Sequence, residues 1–259
     1  MVMDWKSLLS IERLGSEDRS HQTINQGRNP YESDVDRIIF SNAFRRLSRK
    51  TQVHPMAAND HVHTRLTHSL EVARVGYSLG KNLAYEISDK LPNKISIHDL
   101  GTIVSAACMA HDIGNPPFGH GGEKAMSHWF FINGQNFYKD KPKDLQDDII
   151  NIEGNAQGFR SITQTENYLF SGGLRLTYAT LGSFLKYPWN SRKQTDKFST
   201  YITEEEILKE TAEKCGLIKI DNYQWSRHPL SYLVEAAEDI CYGILDLEDG
   251  VELGIIDYE

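Results

Sequence analysis

Apolar residues recur at helical spacing along almost the whole chain, and this pattern is the strongest constraint on the fold. The segment 67–87 repeats its apolar face at positions 72, 75, 79, 83 and 87, which is the period of an amphipathic helix. The segment 100–110 is small and apolar on all sides, as expected for a helix that is buried on every face. Alternating strand patterns are almost absent. The sequence therefore predicts an all-α fold.

Further segments with the helical period are 33–50, 172–187, 203–216 and 228–250. Ser33 and Asp36 form a capping pattern, and Thr203 and Gly216 are the expected N-cap and end of their helix. The polar stretches 133–146 and 188–200 are predicted to be surface loops. We therefore predict one helical domain over residues 1–259. The final residues, ELGIIDYE, resemble the start of another element, so we expect the chain to match part of a longer protein.

Composition narrows the class of protein. The chain has 36 acidic and 28 basic residues, a net charge of -8, and an acidic chain is a poor general binder of nucleic-acid backbones. A local basic cluster or a metal ion can still bind a small phosphate ligand. No apolar run approaches the roughly 20 residues of a membrane helix. Three widely spaced cysteines are expected to be buried thiols in a cytoplasmic protein, not a disulfide framework or a zinc site.

Side chains of metal-ligand type lie at the ends or on the faces of three predicted helices. They are His68, the adjacent His111 and Asp112, and the acidic pair Glu238 and Asp239. Imidazole nitrogens and carboxylate oxygens bind borderline-hard divalent ions, and packed helices bring such residues together. Each piece alone has a structural explanation, as a hydrogen-bonded histidine, a capped helix end or a solvated acidic face. The three together indicate a divalent-metal site.

A second pair lies in the loop that follows the buried helix. His120 and Glu123 are three residues apart at the start of the next predicted helix, so they share a helical face. A carboxylate beside an imidazole orients the ring and favours proton transfer near neutral pH. The pair is a candidate acid–base group, and a glycine-rich loop with a helix cap is the structural alternative.

The strings THSLEV, AHDIGNPPFGHGGEKA and EAAEDICYGILDLEDG resemble the metal motifs of HD-domain phosphohydrolases. More narrowly they resemble the deoxyguanosinetriphosphate triphosphohydrolase-like dNTPases. RIIFSNAFRRLSRKTQV, HTRLTHS, EGNAQGFR and LTYATLGSFLKYPW are similar to the same family, so the resemblance covers nearly the whole chain. Members of this family are longer, and the chain resembles their N-terminal portion. The resemblance implies a helical bundle around a metal and hydrolysis of a dNTP, with dGTP as the expected substrate, to a deoxynucleoside and inorganic triphosphate.

The resemblance also implies roles for the motif residues. His68, His111, Asp112 and one late acid would bind Mn²⁺, Mg²⁺ or another transition metal. His120 and Glu123 would lie at the α-phosphate and handle the proton of the attacking water or of the leaving deoxyribose oxygen.

The identity of the late acid depends on the helical register. The family has an Asp followed by Tyr four residues later and Asp eight residues later, and Tyr242 and Asp246 place that register on Glu238. These three residues share a helical face, whereas Asp239 lies about 100° around the helix. We favour Glu238 as the ligand, with Asp239 as the alternative.

The resemblance further implies a nucleotide pocket. Its expected residues are Arg46, Gln52, Val53, His63, Asn155, Lys186, Tyr187, Tyr242 and Asp246. Arg46, His63 and Lys186 would compensate phosphate charge, and less directly Arg49 and Lys50 would do so. Tyr242 would stack on the deoxyribose and so disfavour a 2'-hydroxyl.

Two alternatives to a dNTPase remain open at this level. One is another HD phosphohydrolase, either a nucleotidase or a phosphodiesterase. The other is a catalytically weak nucleotide sensor or single-strand nucleic-acid binder, which the Glu at the Asp position makes conceivable. In each case we expect a homo-oligomer without membrane association.

Overall fold

The computed structural model describes residues 2–15, 29–55 and 61–257. Over these ranges it contains α-helices, short 3₁₀ or π turns and isolated bridges, but no sheet. The α-helices are α1 (Trp5–Leu8), α2 (Pro30–Ile39), α3 (Asn42–Arg46), α4 (Arg65–Glu86), α5 (Ile97–Ala110), α6 (Gly119–Asn133), α7 (Gln135–Tyr138), α8 (Lys143–Ile150), α9 (Gly154–Arg160), α10 (Tyr178–Phe184), α11 (Glu205–Lys214) and α12 (Pro229–Glu252). The predicted all-α class is confirmed.

Helix α5 lies at the centre of the fold, where α2, α4, α10 and α12 pack around it. Its residues from Leu100 to Ala110 are almost all buried, as the apolar sequence predicts. Glycines let α4 approach closely: a Cβ at Gly80 would lie 2.7 Å from the carbonyl oxygen of Leu100, and a Cβ at Gly76 would lie 2.5 Å from Cys108 Sγ. The two helices run antiparallel, so the start of α4 lies beside the end of α5.

A second close contact joins the loop after α5 to the start of α9. A Cβ at Gly114 would lie 2.0 Å from both the Gly154 carbonyl oxygen and the Gly158 amide nitrogen. A Cβ at Gly154 would lie 2.1 Å from Asn115 Oδ1. The HDIGN and EGNAQG strings are therefore packed backbone to backbone, and glycine is required because no side chain fits between them.

The predicted helix 33–50 is wrong as a single element, and so is its cap. Helix α2 begins at Pro30, with the Asn29 side chain accepting a hydrogen bond from the Tyr31 amide at 2.8 Å. Ser33 lies inside α2, where its hydroxyl donates to the Asn29 carbonyl oxygen. Ser41 then interrupts the run and caps α3. Proline at the first helical position with an Asn cap fixes the earlier start.

The prediction for 172–187 is wrong over its first half. Gly172, Gly173 and Arg175 have positive φ, which a right-handed helix does not allow. Helix α10 starts only after Thr177, whose side chain accepts from the Thr180 amide.

The predicted Thr203 cap is also wrong. That residue lies in a 3₁₀ turn and donates to Glu204 Oε1, and α11 begins at Glu205.

The ends of the two last helices agree better with the sequence. Gly216, two residues beyond α11, has a φ of +65°, the left-handed conformation expected at a helix end. Helix α12 covers the predicted 228–250 segment, with His228 as its N-cap.

The loop prediction for 133–146 is wrong, because α7 and the first half of α8 form there. Pro142 precedes the first turn of α8, and Lys143 pairs with Asp147 one turn later at 2.6 Å. The segment 188–200 is irregular as predicted but is not confined to the surface. Phe198 is buried, and the Trp189 indole donates to the Lys197 carbonyl oxygen at 2.7 Å.

Two further expectations concern the whole chain. The three cysteines are free and buried, as predicted. None of the helices in the described ranges is both long and apolar enough to cross a membrane.

We expect Gly114→Ala to lower the free energy of unfolding by about 1–3 kcal/mol, because the added methyl group overpacks the contact with α9. Urea unfolding followed by circular dichroism measures this loss. Gly243→Ala is the matched control, since a Cβ at Gly243 meets nothing within 4 Å and alanine favours a helix interior. Equal stability of the two variants would contradict the packing argument.

Candidate metal centre and nucleotide pocket

His68, His111 and Asp112 come together where α4 begins and α5 ends. Each offers one ligand atom, and the three atoms lie within 4.8 Å of one another. The two imidazole rings meet edge to face, with centroids 5.4 Å apart. Within the described ranges this is the one group of three or more metal-ligand residues at such distances.

The three side chains each leave a buried polar atom without a hydrogen-bond partner. These atoms are His68 Nε2, His111 Nε2 and Asp112 Oδ2. His111 Nδ1 lies 2.6 Å from the Cys108 carbonyl oxygen, and donation there leaves the Nε2 lone pair free. Unpaired buried polar atoms are costly. Three residues of one close group that each carry such an atom fit a divalent cation, which would supply the missing partner.

The protonation states of His68 and Asp112 also suit metal binding. Burial, together with the neighbouring His111, lowers the pKa of His68 to about 4, so its ring is neutral at pH 7. Burial opposes ionisation of Asp112, but His111 and the Arg65 guanidinium outweigh burial and hold the pKa of Asp112 below its usual value. Arg65 and Asn115 both donate to Asp112 Oδ1. The other carboxylate oxygen is left for a metal ion.

The two residues of the late acidic pair lie on different faces of α12. Glu238 is half-buried and lies on the cavity side of α12, whereas Asp239 is exposed and does not line the cavity. Glu238 Oε2 lies 3.2 Å from Lys186 Nζ, and Glu238 is not among the residues whose ligand atoms lie within 4.8 Å of one another. Glu238 as the fourth ligand therefore stays a prediction.

A cavity of about 410 Å³ opens beside the metal-ligand group, within the usual size of small-molecule sites. The predicted site residues that line it are Gln52, Val53, His111, Asp112, His120, Asn155, Lys186, Tyr187, Glu238 and Tyr242. Other lining side chains come from Arg65, Asn115, Phe118, Ser183, Ser231 and Lys197. Cations, amides, hydroxyls and apolar surface thus converge on one space.

Three predicted pocket residues do not line this cavity. Arg46 is exposed on α3. His63 is bound by carboxylates, with Nδ1 2.6 Å from Asp249 Oδ1 and Nε2 3.3 Å from Glu71 Oε1. Asp246 lies near the same ion-pair group, where burial and Asp249 raise its pKa. These contacts join α12 to the segment before α4 and depend on tertiary packing that sequence spacing does not reveal.

His120 and Glu123 form the contact that their spacing predicts. His120 Nδ1 lies 2.7 Å from Glu123 Oε2, and Glu123 Oε1 accepts from the Gly154 amide at 2.8 Å. Glu123 is buried, whereas the His120 ring is 71 % exposed. The ring is directed by a turn in which Phe118 and Gly119 both have positive φ. A fixed carboxylate thus holds a ring that reaches into the cavity.

Sequence reasoning missed Lys197, which lies in the segment predicted as a surface loop. Its Nζ is 3.4 Å from His120 Nδ1 and 3.1 Å from Glu153 Oε1. Residues 197 and 120 are far apart in sequence, and no local pattern joins them.

A family model described as HD domain matches residues 65–210, which is more than half of the chain. The chain belongs to the HD domain family. The match contains His68, His111, Asp112, His120 and Glu123, and it ends before the helix that carries Glu238.

Curated relatives of this HD domain protein agree in name. A deoxyguanosinetriphosphate triphosphohydrolase-like protein of Pseudomonas aeruginosa is 52% identical over 99% of this chain and 59% of its own length. One of the same name in Synechocystis is 42% identical over 99% and 62%. A deoxyguanosinetriphosphate triphosphohydrolase of Yersinia enterocolitica is 34% identical over 99% and 57%. The chain thus spans about three fifths of these relatives. The resemblance inferred from the motifs is confirmed.

We expect the protein to bind Mn²⁺ and to melt at a higher temperature with Mn²⁺ than with chelator, because ligand binding to the folded state stabilises it. His111→Ala removes one of the three partnerless atoms and should abolish both effects. Calorimetric titration and thermal melts measure them. Metal binding by His111→Ala equal to that of the unchanged protein would contradict the assignment.

The same titration tests the late acid. Glu238→Ala should weaken Mn²⁺ binding and Glu238→Asp should strengthen it, with Asp239→Ala as the matched control. A larger loss from Asp239→Ala would show that the register is wrong.

Proposed function

We propose that this HD domain protein catalyses metal-dependent hydrolysis of deoxynucleoside triphosphates to a deoxynucleoside and inorganic triphosphate, with dGTP as a substrate. The observation that carries the proposal is that one cavity is lined by His111 and Asp112 of the His–His–Asp group and by His120, the ring that Glu123 holds. A metal centre beside a positioned acid–base pair suits hydrolysis of a phosphate ester. The names of the relatives support this substrate class.

The polar side chains of the cavity suit a triphosphate. Lys186, Asn155 and Tyr187 line it with donor groups, which a polyanion requires. Arg65 adds a further cation at the cavity wall. We assign the phosphates to these side chains, and the sugar and base to the part of the cavity formed by Gln52, Val53 and Tyr242.

The metal would be held by His68, His111 and Asp112, with Glu238 as the proposed fourth ligand. When bound, a divalent cation polarises a phosphoryl oxygen and lowers the pKa of bound water. Arg65 fixes Asp112 through Oδ1, and the Cys108 carbonyl fixes the His111 ring. The protein therefore holds these side chains in the orientation and protonation state that ligation requires.

Proton transfer is assigned to His120. Its Nδ1 faces the carboxylate of Glu123, so Nε2 is the ring atom left to exchange a proton with substrate or water. Glu123 is held by the Gly154 amide and would stabilise the ring when it is protonated. The attack of water on the α-phosphorus breaks its bond to the deoxyribose oxygen in this proposal, and His120 handles the proton.

Incubation with each of the four dNTPs and Mn²⁺, followed by chromatography, tests the reaction. We expect intact inorganic triphosphate and a deoxynucleoside, because the bond broken is the one between the deoxyribose oxygen and the α-phosphate. Parallel incubations contain nucleoside monophosphates or phosphodiesters. Release of inorganic phosphate from the monophosphates, or cleavage of the phosphodiesters, would identify another HD phosphohydrolase. Tight dNTP binding without turnover under several divalent ions would identify a nucleotide sensor.

His120→Ala should lower kcat by about 10²–10⁴-fold, the usual contribution of a positioned acid–base group, with a much smaller change in dNTP affinity. Steady-state kinetics and equilibrium binding measure the two effects. His128→Ala is the matched control, since His128 lies on the same helix and does not line the cavity. Equal losses of affinity and rate in His120→Ala would mark His120 as a ground-state contact.

A further inference from the structure

Glu153, the first residue of the EGNAQG string, has no role in the reaction proposed above. We propose that Glu153 and Lys197 form a positioning pair that fixes the tautomer of His120 through Glu123. The inference rests on the proposed function only for the chemistry that His120 performs. The geometric part concerns the ring itself and is testable without any substrate.

Glu153 is a buried carboxylate that accepts from three donors. Oε2 accepts from the Ala156 amide at 3.0 Å, which caps α9. Oε1 accepts from Asn155 Nδ2 at 2.9 Å and from Lys197 Nζ at 3.1 Å. The Glu153 amide itself donates to Tyr201 Oη at 3.1 Å. A buried charge needs such partners, and these contacts allow Glu153 little freedom to move.

Two routes lead from Glu153 to the acid–base pair. The first is the backbone: the cap on α9 fixes the next amide, that of Gly154, which donates to Glu123 Oε1 at 2.8 Å. The second is Lys197, whose Nζ lies 3.8 Å from Glu123 Oε2. The ammonium also lies 3.4 Å from His120 Nδ1, but the closer contact of Nδ1 with Glu123 Oε2, at 2.7 Å, is the one that places a proton on Nδ1. Both routes end on the carboxylate that contacts the ring.

The arrangement of charges selects one ring tautomer. Glu123 and Glu153 place two buried carboxylates close together, and the Lys197 ammonium lies against both. Its positive charge offsets their repulsion, so Glu123 can accept a hydrogen bond from His120 Nδ1. The neutral ring then carries its proton on Nδ1 and keeps the Nε2 lone pair for the cavity. Without the pair, Glu123 keeps only the Gly154 amide, and the Nδ1–H tautomer loses part of its advantage.

Lys197 is itself held in place by its backbone. Its carbonyl oxygen accepts from Trp189 Nε1 at 2.7 Å and from Thr195 Oγ1 at 2.8 Å. These two hydrogen bonds fix the backbone of the irregular segment 188–200 next to the buried Phe198. The segment thus places an ammonium beside the His120–Glu123 pair.

The test uses two variants that differ in how strongly they could disturb folding. Glu153→Gln removes the charge but keeps an oxygen that can cap α9, and Lys197→Met removes the ammonium from a side chain that is one third exposed. The control for the first is Glu204→Gln, another buried carboxylate, which pairs with Arg160 and does not line the cavity. The control for the second is Lys193→Met, whose ammonium lies over the Trp189 ring.

The first measurement is the ¹⁵N chemical shift of both ring nitrogens of His120 across a pH series, assigned with His120→Ala. Protonated and unprotonated nitrogens differ strongly in this shift. At the alkaline end we expect Nδ1–H in the unchanged protein and both controls. In Glu153→Gln and Lys197→Met we expect a mixture with Nε2–H.

The second measurement is dNTP turnover. We expect kcat to fall about tenfold or more in each site variant, as for small misplacements of catalytic groups, with KM changed less than about threefold. In the double variant the loss should stay close to that of the worse single variant, because the two residues act as a unit.

The outcomes separate the inference from the proposed function. Unchanged ring shifts in both site variants would overturn the inference, whatever the protein hydrolyses. Altered shifts in a protein without dNTP turnover would support the positioning pair and refute the proposed reaction. Equal changes in Glu204→Gln would show a general effect of losing a buried charge and would also overturn the inference. If Glu153→Gln fails to fold, Lys197→Met decides by itself.

Discussion

The structure depends on the close approach of α4 and α5. Small residues on α5 and the glycines at positions 76, 80 and 101 remove the side chains that would hold the two helices apart. The antiparallel contact then brings the first turn of α4 against the last turn of α5, so His68 meets His111 and Asp112. Burial that stabilises the core thus creates three buried polar atoms without partners. A bound cation would satisfy these atoms without disturbing the packing, whereas moving any of the three side chains away would open the core.

The second dependence is the contact between the HDIGN loop and α9. Gly114 and Gly154 permit it, and it carries the backbone amide that holds Glu123. The same short loop therefore follows directly on the metal ligands His111 and Asp112 and leads into the turn that carries His120. Gly114 and Gly154 are therefore needed because the two backbones approach closely, and not because the loop must be flexible.

Long elements with strong apolar periodicity, such as α4, α5 and α12, could be predicted from the sequence, because one buried face decides their structure. The residues that meet at the metal-ligand group could also be predicted, since they lie at the ends of those helices. Short elements could not: Pro30 sets an earlier start for α2, and Ser41 divides the segment 33–50 by local capping, which the apolar pattern hides. Lys197 and the contacts of His63 were inaccessible for a different reason. Their partners are distant in sequence, and only the packed structure brings charge to charge.

Arg65 connects the two halves of the site. One guanidinium nitrogen donates to Asp112 Oδ1 at 2.7 Å, and the other lies where a Cβ at Gly119 would come within 2.7 Å. Gly119 belongs to the turn that directs His120, and its positive φ already favours glycine. The guanidinium of Arg65 therefore lies between Asp112 and the turn that carries His120, and its rigid planar group packs beside both. One side chain thus connects the metal-ligand group with the His120–Glu123 pair. In the proposed hydrolysis both groups would act at one phosphorus atom, and this connection would help to hold them at a constant spacing.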